Sequence, residues 1–147
     1  MSTHIDCHEC GTTYEVWNAY DQKCNAKHWQ DNFKNWTSES EDIDNLIQQS
    51  QRNANKDYEI IEWIDSSKFA NIQLIADGKM YKAIWKNGPI TNYYEEEPGD
   101  YSMHYYSFFW NDKGSAWNRL GDHPIAIKVF DDFNLLLKEV KWNCHIY

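Results

Sequence analysis

Apolar side chains recur at helical spacing in two stretches of the first third of the chain. Over residues 25–36 the aromatic positions fall three or four apart, which predicts an amphipathic helix. A second helix is predicted over 41–53, where leucine and isoleucine form a narrow stripe and residues 37–40 supply N-cap side chains. The polar residues 53–57 that follow predict a domain boundary after residue 55.

Beyond residue 57 the pattern becomes that of short strands. Two apolar runs at 69–76 and 79–86 are joined by Asp77-Gly78. This dipeptide predicts a tight hairpin, because a type I′ turn needs positive φ at both of its central positions. A third strand is predicted at 124–130, and a last helix is predicted from 133 to about 144.

Residues 90–123 are polar and aromatic, and they predict a long loop with one internal strand at 105–110. Taken together, the elements predict an α+β chain. A Cys-containing helical module occupies 1–55. A three-stranded antiparallel sheet with one helix occupies 56–147, and a long insertion interrupts it at about 90–123.

Composition narrows the possible functions. The chain is 41% hydrophobic and 16% aromatic, which indicates an ordered core. A net charge of -9 without any Lys/Arg cluster argues against a nucleic-acid partner. No apolar run follows Met1, and no stretch of about 18 apolar residues occurs. We therefore expect no membrane partner, and an intracellular, cytoplasmic chain whose cysteines stay reduced.

Three cysteines near the N-terminus suggest a metal site. Cys7 and Cys10 are separated by two residues, a spacing that lets both thiolates hold one tetrahedral zinc ion. Cys24 and His28 lie four apart at the start of the first predicted helix, so both can turn toward that ion. Asp21 is the alternative to His28 as the fourth ligand. The competing interpretation is a set of free thiols that bind no metal.

A β-branched run that ends in Lys128 precedes a predicted helix that carries Glu139. Protein kinases use this layout to hold ATP, with the strand lysine on the α/β-phosphates and the helix glutamate paired to it. The ammonium group of a lysine can anchor phosphates because it is a point charge on a long stem. The competing interpretation is a lysine at a strand end and a solvated glutamate, with no nucleotide role.

Several segments occur in the order of a protein kinase N-lobe. Those that resemble its first three strands and its αC helix are 69–75, 81–88, 125–128 and 137–141. Upstream segments resemble the N-terminal part of one kinase-like family, and they are 7–10, 24–29, 32–38 and 62–64. The chain thus resembles a large expanded family of fungal protein kinase-like proteins, best known from mycorrhizal fungi. The resemblance covers most of the chain except 90–116.

The resemblance implies a nucleotide site at Lys128, Glu139 and Gly78, with ATP as its ligand. The family's glycine-rich loop is shortened here to a turn in which only Gly78 remains. The sequence has no His-Arg-Asp catalytic loop and no Asp-Phe-Gly metal site, and it stops at Tyr147, before the family's C-lobe. We therefore expect a truncated, pseudokinase-type protein with a degenerate ATP site and no phosphoryl transfer of its own.

Two other functions stay open on the sequence alone. The chain is either a protein–protein interaction module that keeps a kinase-derived scaffold, or the N-terminal piece of a longer ATP-binding protein kinase. Binding of ATP separates the first of these from the nucleotide hypotheses, because a ligand of the folded state raises its stability.

Overall fold

Helices and short antiparallel strands build the chain, which confirms the α+β class. The computed structural model describes residues 3–76, 78–94, 105–106 and 108–142. The three α-helices of these residues are α1 (Gln22–Asp31), α2 (Glu41–Asn53) and α3 (Phe133–Trp142). The strands are β1 (His4–Asp6), β2 (Thr13–Glu15), β3 (Phe69–Ala76), β4 (Met80–Trp85), β5 (Tyr93–Tyr94), β6 (Tyr105–Tyr106), β7 (Trp110–Asn111), β8 (Ala116–Trp117) and β9 (His123–Lys128).

The first two helices begin where a side chain caps them. Helix α2 has the predicted bounds, because the Ser40 hydroxyl accepts the Ile43 N–H and acidic residues fill the first turn. Helix α1 begins three residues before the predicted start, since the Asp21 carboxylate accepts the Cys24 N–H. It ends at Asp31, and the rest of the predicted helix becomes a short 3-10 turn.

Strands β3, β4 and β9 form one antiparallel sheet in that spatial order. Strand β4 is central, and its side chains Ala83 and Trp85 are buried. Pro124 lies in β9, at an edge of the sheet, where its missing N–H is tolerated. The register sets Lys128 opposite Met80, so Lys128 lies at the end of the sheet where β3 turns into β4.

Three residues, 77–79, connect β3 to β4. Gly78 has φ of 67°, as a tight turn requires, and the Val129 N–H donates to the Lys79 carbonyl across the sheet. Asp77, the first half of the predicted turn, lies outside the described residues, as does the predicted end of the last helix near residue 144.

Residues 90–123 contribute to the core, and their strands differ from the predicted long loop with one strand at 105–110. They carry two short hairpins, β5–β6 and β7–β8. Phe108 and Phe109 lie outside these strands, and their carbonyls accept hydrogen bonds from the side chain and the backbone N–H of Asn118. Residues 95–104 and 107, which this prediction also covered, lie outside the described part of the chain.

The main hydrophobic core joins both sides of the predicted boundary after residue 55. Its buried members are Tyr20, Trp29, Ala54, Ile60, Ile90 and Phe109, with Phe33 and Trp117 packed against them. The ring of Trp29 stacks on Trp117 with 4.2 Å between ring centroids. Side chains from 1–55 and from 90–123 therefore exclude water together.

None of the helices in the described part of the chain has the length and apolar character needed to cross a membrane.

Candidate metal centre

The turn between β1 and β2 presents Cys7 and Cys10. The Cys7 N–H donates to the Thr12 carbonyl, and the Gly11 N–H donates to the Cys7 carbonyl, both at 2.8 Å. Gly11 has φ of 74°, a conformation that glycine adopts without a steric penalty. These bonds fold the turn tightly. The Cys7 side chain is buried, whereas Cys10 is exposed.

Helix α1 supplies the other two members of the group. Asp21 caps the helix and is only 2% exposed. Its two oxygens accept the Cys24 N–H and the Cys10 thiol, each at 3.0 Å. One ligand atom from each of Cys7, Cys10, Asp21 and Cys24 lies within 4.8 Å of the others, so this group can hold a metal ion.

The charges of this centre follow from its burial. Burial is the main cause that raises the pKa of Cys7 and of Cys24. At Asp21, burial acts to raise the pKa, but the hydrogen bonds from Cys10 and Cys24 outweigh it and leave the pKa lowered. Burial, with the charge of Asp21, raises the pKa of Tyr14 to about 12. Without metal, the thiols of Cys7 and Cys24 therefore stay protonated beside one carboxylate, and metal binding must release their protons.

Three sulfurs and one carboxylate oxygen fit zinc. Zinc prefers four tetrahedral ligands, with bonds of about 2.3 Å to sulfur and about 2.0–2.2 Å to oxygen. Such bonds set neighbouring sulfurs about 3.8 Å apart. Because the four atoms already lie within 4.8 Å of one another, small side-chain movements close the site. Bound zinc would join the β1–β2 turn to the start of α1.

His28 lies outside this group, although the sequence analysis placed it as the fourth ligand, with Asp21 as the alternative. Its ring stacks on Trp110, with 3.8 Å between centroids and 12° between planes. Its Nε2 lies 2.7 and 2.8 Å from the two carboxylate oxygens of Glu9. Asp21 reaches the thiols because it stands at the helix start, facing the turn, whereas His28 lies one helical turn beyond Cys24.

The residues that the kinase resemblance assigned to a nucleotide lie at one end of the β3-β4-β9 sheet. Lys128 Nζ lies 3.5 Å from Glu139 Oε1, with the two side chains 48% and 36% exposed. The same ammonium group lies 5.1 Å from the ring centroid of Phe130. Gly78 lies in the β3–β4 loop, and an added Cβ there would meet nothing within 4 Å. Cavities of about 980 and 770 Å³ elsewhere are lined by none of these three residues.

Three further polar residues gather beside the thiols, and the sequence did not identify them. Glu9 and Asp112 approach His28, each with a carboxylate oxygen within 4.8 Å of its ring nitrogen. Asn25 is 3% exposed, and its amide nitrogen has no hydrogen-bond partner among the described residues. Glu9 was visible between the two cysteines. Asp112 is more than 80 positions from His28, so no local pattern could indicate the contact.

Comparison of the chain with protein-family models, with curated proteins and with solved structures found no significant match. A function must therefore be inferred from the residues and their geometry.

Proposed function

We propose that the chain is a non-catalytic, pseudokinase-type protein. It would combine a partial kinase-like N-lobe, carrying a degenerate ATP site, with an N-terminal module stabilised by zinc. The observation that supports the kinase likeness most is the contact between Lys128 Nζ and Glu139 Oε1, 3.5 Å apart. The lysine ends β9, the third strand of the β3-β4-β9 sheet, and the glutamate belongs to the next helix, α3.

The ATP site would be weak for physical reasons. A kinase glycine-rich loop covers the phosphates with successive backbone N–H groups, whereas only residues 77–79 connect β3 to β4. Lys128 is about half exposed, so water screens its charge. The sequence offers neither a catalytic-loop aspartate nor an Asp-Phe-Gly site for Mg²⁺. Binding at millimolar ATP without phosphoryl transfer is the expected behaviour.

Thermal unfolding with ATP, with and without Mg²⁺, tests the nucleotide site. Saturation to about five times Kd stabilises a protein by roughly 1 kcal/mol, which is about 2–4 °C in a chain of this size. The shift in Tm should disappear in Lys128→Ala. It should persist in the control Lys138→Ala, which removes an exposed lysine of α3 next to Glu139. If millimolar ATP gives no shift in the wild type, the nucleotide site is refuted.

The thiol site has its own test. Elemental analysis of protein purified without chelator should find zinc, and Cys10→Ser should lose about one ion per chain. Cys10 is exposed, so this change removes a ligand without opening a cavity. Thr12→Ala is the matched control, because Thr12 contacts the Cys10 sulfur at 3.2 Å but is not in the ligand group. An unchanged zinc content in Cys10→Ser would refute the thiol site.

The exposed side chains of β3 favour a second candidate function, a protein–protein interaction module. Ile72, Leu74 and Ile75 are 54%, 59% and 51% exposed, and β3 is an edge strand of its sheet. Apolar side chains on an open edge invite pairing with another chain. A wild-type protein that shows no thermal shift with ATP but contains zinc would favour this function over the nucleotide hypothesis.

A further inference from the structure

Beside the thiol centre, side chains from three separate elements converge on one point. Glu9 comes from the β1–β2 turn, His28 from α1, and Asp112 from the β7–β8 hairpin. One ligand atom from each lies within 4.8 Å of the others. We infer that Glu9, His28 and Asp112 form a second divalent-cation site, for an ion that accepts one imidazole nitrogen and two carboxylates. This site uses none of the thiol ligands and does not depend on ATP binding.

The His28 ring is already oriented for coordination. Stacking on Trp110 and an edge contact with Trp117, whose centroid is 6.2 Å away, fix the plane of the imidazole. Its Nε2 is almost equidistant from both oxygens of Glu9, at 2.7 and 2.8 Å. Zinc bonds of about 2.1 Å to nitrogen and oxygen would hold those atoms about 3.0–3.4 Å apart. Between His28 and Glu9 a cation therefore replaces the hydrogen bond with movements of a few tenths of an ångström, and the Asp112 oxygen, which lies within 4.8 Å, moves in to complete the set.

A buried donor without a partner lies next to these ligands. The Asn25 side chain lines a small cavity together with Glu9 and Asp112 from this group, and with Cys7 and Asp21 from the thiol centre. Asn25 is 3% exposed, and its amide nitrogen finds no acceptor among the described residues. A buried amide donor is normally hydrogen-bonded. A water in this cavity, bound to a cation that the adjacent Glu9 and Asp112 hold, would supply the missing acceptor.

Charge also favours a cation here. Glu9 and Asp112 bring two carboxylates to one imidazole, in a chain whose net charge is -9. A divalent cation offsets both of these charges. The ligand set of one nitrogen and two oxygens suits borderline ions such as Zn²⁺ better than Ca²⁺, which takes six to eight oxygens. A bound ion would tie the β7–β8 hairpin to α1.

Titration of the metal-free full chain with Zn²⁺ tests the site. The wild type should bind about two ions, and Asp112→Asn and His28→Gln should each bind about one. Asp112 is exposed, so its replacement leaves the fold intact, which circular dichroism would verify. Asp31→Asn, which changes another exposed acid at the end of α1, should keep both ions. Replacing Zn²⁺ with Ca²⁺ should leave the second site empty.

Cobalt separates this site from the thiol centre. Thiolate ligands give Co²⁺ a strong charge-transfer absorption, so Cys10→Ser should weaken that band and Asp112→Asn should leave it unchanged. Wild-type protein that binds one ion, with Asp112→Asn identical to it, would overturn the second site and leave Glu9–His28 as a hydrogen-bonded pair. If the second site binds Ca²⁺ as tightly as Zn²⁺, the role of the imidazole as a ligand would be overturned. If the thiol site binds no metal, the wild type and Cys10→Ser should each bind one ion and Asp112→Asn should bind none. That result would support the second site independently of the thiol site.

Discussion

Replacing Arg119 with alanine tests whether residues 90–123 belong to the core of the protein. The guanidinium group meets both oxygens of Glu62, at 3.0 and 3.2 Å, and donates a further bond of 2.8 Å to the Gly88 carbonyl. The side chains of Arg119 and Glu62 are 26% and 11% exposed. This paired contact therefore ties the segment before β9 to the chain that leads into β3.

The cost of the change follows from what it leaves behind. Burial raises the pKa of Glu62, and the charge and hydrogen bonds of Arg119 oppose that rise. Without Arg119, a carboxylate stays buried with no partner, a change that typically costs about 3–5 kcal/mol. Because Arg119 keeps about a quarter of its exposure, we expect a loss near the lower limit, about 3 kcal/mol. In a chain of this size that lowers Tm by about 6–12 °C.

Urea unfolding at neutral pH, followed by circular dichroism, measures this loss. Glu62→Gln removes the charge and keeps the shape, so the double variant should recover part of the stability that Arg119→Ala loses. Lys79→Ala is the matched control. The Lys79–Asp131 pair is shorter, at 2.6 Å, but its side chains are 58% and 69% exposed, so its loss should cost less than about 1 kcal/mol. Equal losses in Arg119→Ala and Lys79→Ala would refute the view that burial sets the strength of these pairs.

Three further changes probe the turn, the core and the charge of the fold. Gly88→Ala should lower the free energy of unfolding in urea by roughly 2–4 kcal/mol, because the added Cβ would collide with the Gly121 carbonyl. Gly78 has a similar φ but open space around it, so Gly78→Ala should lower that free energy by only about 1 kcal/mol. Trp29→Ala should cost about 3–5 kcal/mol, and a loss below about 1 kcal/mol would mean that the main core does not depend on this ring. Hydrogen bonds from two hydroxyls and an N–H lower the pKa of Asp44 below 3.8, so its contribution is present above that pH and lost as pH falls through the lowered pKa. Asp44→Ala should thus lower Tm at neutral pH by an amount that shrinks as the pH falls below 3.8, and a difference that does not shrink would contradict this origin.

Local signals predicted the elements that local chemistry determines. Helix α2 has its predicted bounds because a cap, an acidic first turn and an apolar stripe all lie within thirteen residues. Strand β3 has its predicted bounds, and β4 lies within its predicted range. The cysteine spacing likewise indicated three of the four residues of the candidate metal-binding group, and Asp21 was the alternative offered for the fourth. Helix α1 begins before its predicted start because the Asp21 carboxylate caps it. In the sequence, this single capping residue is a weaker signal than the aromatic spacing on which the prediction was based.

Long-range contacts were beyond the reach of the sequence. The β7–β8 hairpin gains stability from burial of Trp117 and the adjacent Phe109 in the main core with Trp29 of α1, and nothing in its own spacing reveals those neighbours. Asp112 and Glu9 meet at His28 only because this packing brings the β7–β8 hairpin to the helix. A single sequence shows the residues of such a site, but it does not show which of them come into contact in the folded protein.

Three consecutive residues connect the metal centre to the rest of the molecule. Ala19 belongs to the small core around Cys7, Tyr20 to the main core around Trp29, and Asp21 to the metal-binding group. A displacement of one must therefore move the others, since each is 5% exposed or less and closely packed. Because Tyr20 contacts Phe109 at 5.5 Å between ring centroids, a change at the metal centre reaches residues on the far side of the predicted boundary. Any stability that a metal bound at this centre supplied would therefore belong to the joint core, whereas the exposed Lys128–Glu139 pair adds little to the fold.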